Sequence, residues 1–203
     1  SALENFASQI KCGTVIAGFA GHKSGNCYNS MAVISNGSIN KIYNKINLPN
    51  YGVFDEQRYF LAGQSPELIE INGFRILLTI CEDIWQLKWF DGFVEKCGHI
   101  DMVINISASP FHYGKIKQRK KVLRTAGSHF NSALCYCNLV GGQDELVFDG
   151  RSMLFDSTGK LIAEAASFEE DLFIAEIDKK QDGSVSIIPG DNNHLPQNEQ
   201  LNT

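Results

Sequence analysis

Apolar and polar positions along the chain recur with two different periods, and the switches between them mark the elements. Segment 13–20, GTVIAGFA, is apolar and rich in β-branched residues, and SMAVISNGSINKIYNK from Ser30 sets Asn36-Gly37 between two strand-like runs, which predicts a tight hairpin. A second hairpin is predicted in ELIEINGFRILLTI, turning at Asn72-Gly73. Between them, NLPNYGVFDEQRYFLAGQSPE places two prolines and polar residues around several aromatics. A loop of that length usually carries function.

After Cys81 the period lengthens. EDIWQLKWFDGFVEKCG brings Ile84, Leu87, Trp89 or Phe90, and Val94 close to helical spacing, and HIDMVINISAS then reads as a buried strand. KIKQRKKVLRTAGSHFNSA predicts a second helix, with Val122, Leu123, Ala126 and Phe130 sharing a face, and LCYCNLVGG a strand after it. Strand, helix, strand, helix, strand is the order of an α/β fold. FDGRSMLFDSTGKLIAEA predicts a hairpin turning at Ser157-Thr158-Gly159, and DLFIAEID one more strand. The tail IIPGDNNHLPQNEQLNT shows no packing pattern and reads as a linker. The expectation is about eight strands and two long helices in a domain at 1–188, with a linker at 189–203.

Composition narrows the classes. At 203 residues, 43% apolar and 20% charged, the chain suits one well-cored domain. A net charge of −5 argues against a nucleic-acid or anionic-membrane partner, since phosphate-rich surfaces call for a basic excess. The six cysteines include no C-x-x-C pair and lack the density of a disulfide scaffold, which points to reduced thiols and a cytoplasmic setting. No apolar run is long enough to span a bilayer. The histidines show no ligand spacing with the cysteines, and Cys135-Tyr136-Cys137 alternates across a strand, so no metal is expected. GGQDELVFDG lacks the strand–glycine–helix context of a dinucleotide site.

The stretch ILLTICEDIW, 76–85, sets Cys81 between a buried run and two acids. A strand delivering its last residue to a helix start would favour the thiolate, the nucleophilic form. The alternative is a small buried apolar residue. Nucleophilic work also needs a base for the thiol proton and a cation or N–H donor for the oxyanion. Lys45 and Glu56, in YNKINLPNYGVFDEQRYF, are candidates, although each taken alone reads first as a solvated surface charge.

Four blocks in order, YNKINLPNYGVFDEQRYF, LLTICEDIW, NISASPFHYGK and NLVGGQDELVFDG, resemble the glutamine-hydrolysing domain of the glutamine-dependent NAD(+) synthetases, within the nitrilase or carbon–nitrogen hydrolase superfamily. The resemblance spans nearly the whole chain and implies an α-β-β-α sandwich with a Glu-Lys-Cys catalytic set. It makes Cys81 the nucleophile, Lys45 the cation beside the tetrahedral intermediate, and Glu56 the glutamate that orients that lysine and the substrate. The family's general-base glutamate lies in a P-E-L-type motif on an earlier strand. No such motif precedes Lys45, and Glu4 lacks the flanking strand pattern. The resemblance therefore implies a sandwich truncated at its N-terminal side, with little or no glutaminase turnover by itself. For L-glutamine it implies Glu82 as acceptor of the α-ammonium, Ser109 and Lys115 as partners of the α-carboxylate, and Tyr51 at the mouth. Each of these also has a local reading: a helix-start acid, a turn serine before Pro110, a basic helical face. His112 receives no proton-transfer role. Ammonia would pass to a synthetase domain of the same polypeptide, where ATP and Mg²⁺ serve the amidation of nicotinic acid adenine dinucleotide. The amidase part itself needs no cofactor, and a homo-oligomer is implied. The alternatives are a stand-alone amidase on another small amide and a non-catalytic assembly module.

Overall fold

The structure is a computed structural model and describes residues 1–190. A meander of β1 (Thr14–Lys23), β2 (Asn26–Ser35) and β3 (Ser38–Asn44) forms one antiparallel sheet. Its second turn uses Asn36-Gly37 with both residues at positive φ, the conformation that matches the twist of a two-residue hairpin and that Asn and Gly tolerate. The same pair recurs at Asn72-Gly73 between β4 (Glu67–Ile71) and β5 (Phe74–Ile80). The first turn, at Ser24-Gly25, closes a hairpin of two ten-residue strands.

β4 and β5 open a second, six-stranded sheet. It continues through β6 (Met102–Ser107) and β7 (Ala133–Asn138); a side hairpin of β8 (Val140–Gln143) and β9 (Leu146–Asp149) follows, and β10 (Met153–Phe155) and β11 (Leu161–Glu164) complete the sheet in the order β11-β10-β7-β6-β5-β4. β5, β6 and β7 run parallel, so their connections must cross over the sheet. These are α2 (Asp91–Cys97) and α3 (Lys115–Phe130), while α1 (Ala2–Ala7) lies at the front of the chain.

Four layers result. On one face of the large sheet, Leu77, Val103, Leu134 and Phe155 bury against Leu123, Ala126 and Phe130 of α3 and Phe90 before α2. On the other face, Ile76, Leu78, Ile80 and Met102 meet Met31 and Val33 of β2 and Tyr43 of β3. The outer side of the small sheet buries Ala32 and Ile34 under Ala7 of α1. This is the α-β-β-α sandwich that the resemblance implies. Among the described residues no helix is long and apolar enough to cross a membrane.

Three elements differ from the sequence reading. No helix begins at Cys81: the chain makes two 3₁₀ turns, Cys81–Trp85 and Leu87–Trp89, before the seven-residue α2. LCYCNLVGG breaks at Leu139, between β7 and β8, rather than forming one strand. The tail that shows no packing pattern from Ile187 opens inside a strand: β13 (Val185–Pro189) pairs with β12 (Ala175–Lys179), and Ile187 packs under the large sheet. The rest of that segment, 191–203, lies outside the described residues.

One side chain fastens the two sheets where they come closest to the candidate chemistry. Asp83 is fully buried; its Oδ1 accepts N–H bonds from Ile46 (3.2 Å) and Asn47 (2.8 Å), and its Oδ2 accepts from Ile80 N–H (2.8 Å) and the Tyr43 hydroxyl (2.7 Å). Asp83→Asn turns one of those oxygens into an NH₂ that faces two donors. It is expected to cost about 1–3 kcal/mol for each donor left unpaired. The urea midpoint should fall with an unchanged slope.

Candidate active site

The carboxyl ends of β5, β6 and β7 deliver Cys81, Ser107 and Asn138 to one edge of the large sheet, the edge at which ligands of parallel sheets usually bind. Cys81 is 9% exposed and sits at φ 44°, a left-handed conformation that costs a non-glycine residue about 1–3 kcal/mol. The strain is held by Asp83, whose carboxylate grips Ile80 N–H, and by Asn105, whose amide reaches the Cys81 carbonyl at 3.5 Å. Asn105 is in turn fixed by Thr79 and Ser107.

Lys45 follows β3 and is 1% exposed; its ammonium donates to Glu56 Oε1 at 2.6 Å. Glu56 begins a single 3₁₀ turn, and Asn29 Nδ2 holds its other oxygen at 3.3 Å. Lys45, Glu56, Asn29, Cys81, Ser107 and Asn138 all line one cavity of about 730 Å³. The resemblance-derived set of Cys81, Lys45 and Glu56 thus converges from three separate parts of the chain.

The thiol is not pre-ionised by a helix end. Burial pushes its pKa up from the ordinary cysteine range, against the Lys45 ammonium and the Ser107 hydroxyl, which favour the thiolate. This overturns the expectation drawn from a helix start: a five-residue 3₁₀ turn lacks the aligned dipoles of a long helix, and desolvation dominates. Asp83, also buried, is raised to about 6 despite its four donors.

The four other predicted residues gather on the remaining side of Cys81. Tyr51 donates its hydroxyl to Glu82 Oε1 at 2.8 Å, and that acceptor and burial raise the phenol. Lys115 opens α3 with its ammonium 4.3 Å from the Trp85 ring centroid. Burial and the neighbouring Arg119 lower Lys115, while the charges of Cys81 and Glu82 act in the opposite sense. Ser109 is 4% exposed; Asn138 Oδ1 accepts its N–H at 3.0 Å, and the Arg119 guanidinium donates to its carbonyl at 3.3 Å. His112 is exposed and bonds the Tyr113 carbonyl. Glu4 pairs with the amino group of Ser1 on α1.

Sequence reading missed the supporting groups: Asn29, Asp83, Asn105, Ser107, Arg119, Tyr136 and Asn138. Asp83 had a signal, a second acid beside the nucleophile candidate; the others are single polar residues on apolar strands or a basic helix. Among the described residues no three His, Cys, Asp or Glu side chains cluster as metal ligands.

The profile of the carbon–nitrogen hydrolase family matches residues 2–185. A glutamine-dependent NAD(+) synthetase of Thermotoga maritima is 41% identical over 175 residues, covering 86% of this chain and 30% of that protein. The protein of the same description from Aquifex aeolicus is 44% identical over 151 residues, 74% of this chain and 26% of its own length. The structure of glutamine-dependent NAD+ synthetase from Acinetobacter baumannii in complex with ADP superposes with a TM-score of 0.85 at 34% identity, covering 97% of this chain and 36% of that one. The chain therefore spans about a third or less of the curated relatives named here.

Because burial and Lys45 pull the thiol in opposite directions, two variants should move it oppositely. In Lys45→Met burial loses its main opponent and only the Ser107 hydroxyl still favours the thiolate, so the pH midpoint of Cys81 alkylation by iodoacetamide should rise and the rate at any pH below it should fall. In Glu56→Gln a carboxylate that disfavours the thiolate is gone, so the midpoint should drop. Peptide-resolved mass spectrometry of the alkylated protein across pH reads both shifts.

Proposed function

The chain belongs to the carbon–nitrogen hydrolase family, and from that premise we propose that it is a glutamine amidase whose nucleophile is Cys81. The observation that carries the reading is the common cavity of Cys81 and Lys45, with Glu56 fixing the lysine. The sulfur attacks the carboxamide carbon of L-glutamine, and the carbonyl π pair moves to oxygen. Lys45 is suited to hold that oxyanion: it is a compact cation, buried where its field is little screened, and already oriented by Glu56. Collapse breaks the C–N bond; the nitrogen takes a proton and leaves as ammonia, and the thioester is then split by water to glutamate and free thiol.

The substrate's two end charges have matching partners. On this reading Glu82 accepts from the α-ammonium, Tyr51 closes over it, and Lys115 with Ser109 receives the α-carboxylate; the Tyr51–Glu82 bond and the mutual influence of Lys115, Cys81 and Glu82 support it. A zwitterionic side chain amide is favoured over a simple amide by this pairing of opposite charges on one side of the thiol. The relatives, each described as a glutamine-dependent NAD(+) synthetase, support the same substrate. On the same reading the ammonia serves amidation of nicotinic acid adenine dinucleotide in a synthetase domain of the same polypeptide, with ATP and Mg²⁺ engaged there and none needed by the amidase part. Homo-oligomeric assembly and a cytoplasmic setting belong to it as well.

Two carboxylates bear on the thiol, and both are committed: Glu56 to Lys45 and Asn29, Glu82 to Tyr51. Among the described residues, proton removal from Cys81 and activation of water thus lack a free base beside them. Ammonia release by these 203 residues is expected to run about 10²–10⁴-fold below that of a polypeptide with such a base in place. Binding is tested separately, by alkylation with the diazomethyl ketone analogue of L-glutamine. Cys81 should be labelled in preference to Cys97, free L-glutamine should protect it, and Glu82→Gln should slow it about 10–100-fold, the worth of one charge-assisted bond. Labelling of Cys81 no faster than Cys97 would mean that the cavity is not a glutamine site, as a non-catalytic module requires.

A further inference from the structure

The large sheet holds a buried phenol that the reaction above does not use. Tyr136 lies on β7 directly across from Asn105 of β6, and is 2% exposed. Its ring packs in the core beneath α3. Its hydroxyl and Arg119 Nε are the buried side-chain polar atoms with no hydrogen-bond partner among the described residues, and they belong to neighbours: the Arg119 guanidinium carbon is 5.7 Å from the Tyr136 ring centroid. The hydroxyls of Ser107 and Ser109 flank the phenol oxygen without reaching bonding geometry, and the Cys81 sulfur is close enough to act on it electrostatically.

Leaving a buried hydroxyl unpaired destabilises a fold, a cost that phenylalanine at the same place would avoid. Most of the surrounding polar groups are paired. Arg119 donates to both oxygens of Asp149, at 2.9 and 3.0 Å, and to the Ser109 carbonyl. Asn138 holds Ser109 N–H and the Gly150 carbonyl. Beside Arg119 Nε, whose guanidinium lies over the same ring, the phenol O–H is the buried side-chain polar group left unbonded among the described residues. Burial raises that phenol, so it keeps its proton across the working pH range and can only gain by donating.

We propose that Tyr136 is a specificity-determining residue whose hydroxyl donates to the α-carboxylate of bound glutamine, beside Ser109 and over the cationic Arg119. This rests on the glutamine reading and extends it, since it names the group that separates a free amino acid from a plain amide. An anionic acceptor is the partner this corner favours. Arg119 is fixed beneath it, Lys115 stands at the start of the same helix, and the carboxamide end of the substrate is committed to Cys81 and Lys45 on the far side.

Tyr136→Phe tests it, because it keeps the ring and removes only the oxygen. No protein hydrogen bond is lost, so the thermal midpoint should be equal to or above that of the unaltered chain. Cys81 labelling is then measured with three reagents: the diazomethyl ketone analogue of glutamine, its α-methyl ester, and iodoacetamide as the reference rate. The ratio of the free-acid analogue to iodoacetamide should fall about 10-fold or more in the variant, as loss of a bond to a charged group implies. With the methyl ester the variant and the unaltered chain should give the same ratio. A free-acid ratio unchanged in the variant overturns the proposal, as does a lower midpoint with all three reagents slowed alike, which marks a structural phenol. If the unaltered chain itself shows no preference for the free-acid analogue over iodoacetamide, the glutamine reading fails and this inference fails with it. A preference that is present but indifferent to Tyr136 sinks the inference alone.

Discussion

The carboxylate of Asp83 is the joint on which the site depends. It ties the end of β5, through Ile80 N–H, to the chain leaving β3, through Ile46 N–H, Asn47 N–H and the Tyr43 hydroxyl. Those are the segments that present Cys81 and Lys45, one residue away on either side. Two sheets packed only by apolar contact can slide by a fraction of a side chain at little cost, because hydrophobic burial is not directional. Four directed bonds to one buried carboxylate remove that freedom. They also hold Cys81 at a positive φ, so the thiol's direction is set by a residue two positions away in sequence.

The electrostatics follow from the same burial. A thiol at a sheet edge open to water would titrate as an ordinary cysteine and would react with any passing electrophile. Here desolvation disfavours the thiolate, and the Lys45 ammonium, which favours it, is already paired with Glu56. On the proposed reading, Lys45 would stabilise charge that develops during reaction more than charge present at rest, which is the differential binding that raises a rate.

Much of this architecture was legible. Asn-Gly pairs at 36–37 and 72–73 fixed two turns because few other dipeptides accept consecutive positive φ, and strand-helix alternation from Phe74 to Asn138 fixed the parallel strands. The α-β-β-α layering came from the family resemblance, not from periodicity. What failed did so for physical reasons. Ile84, Leu87, Phe90 and Val94 keep a spacing near three to four whether the chain makes an α-helix or successive 3₁₀ turns, and Asp83's long-range bonds decided for the turns. β13 was hidden because its pairing with β12 is the only thing that makes VSIIP a strand; beside Gly190 it reads as loop. At the site, the charged residues were visible as letters in the four blocks, whereas Asn105, Ser107 and Tyr136 matter through a register between β6 and β7 that no local pattern encodes.

Arg119 shows how the same edge of the sheet is held from the other direction. Its pair with Asp149 is 1% exposed on both sides, and a buried ion pair of this kind rarely adds stability, since desolving two charges costs about as much as their attraction returns. Apolar residues of similar volume would serve the core at least as well. What apolar residues cannot do is reach three elements with directed bonds: Arg119 comes from α3, Asp149 closes β9, and the Ser109 carbonyl belongs to the loop that leaves β6. Arg119 thus ties the loop carrying Ser109, and the end of β9, to the helix carrying Lys115. A salt bridge that is close to neutral for folding is accounted for by geometry, as Asp83 is on the opposite side of the thiol.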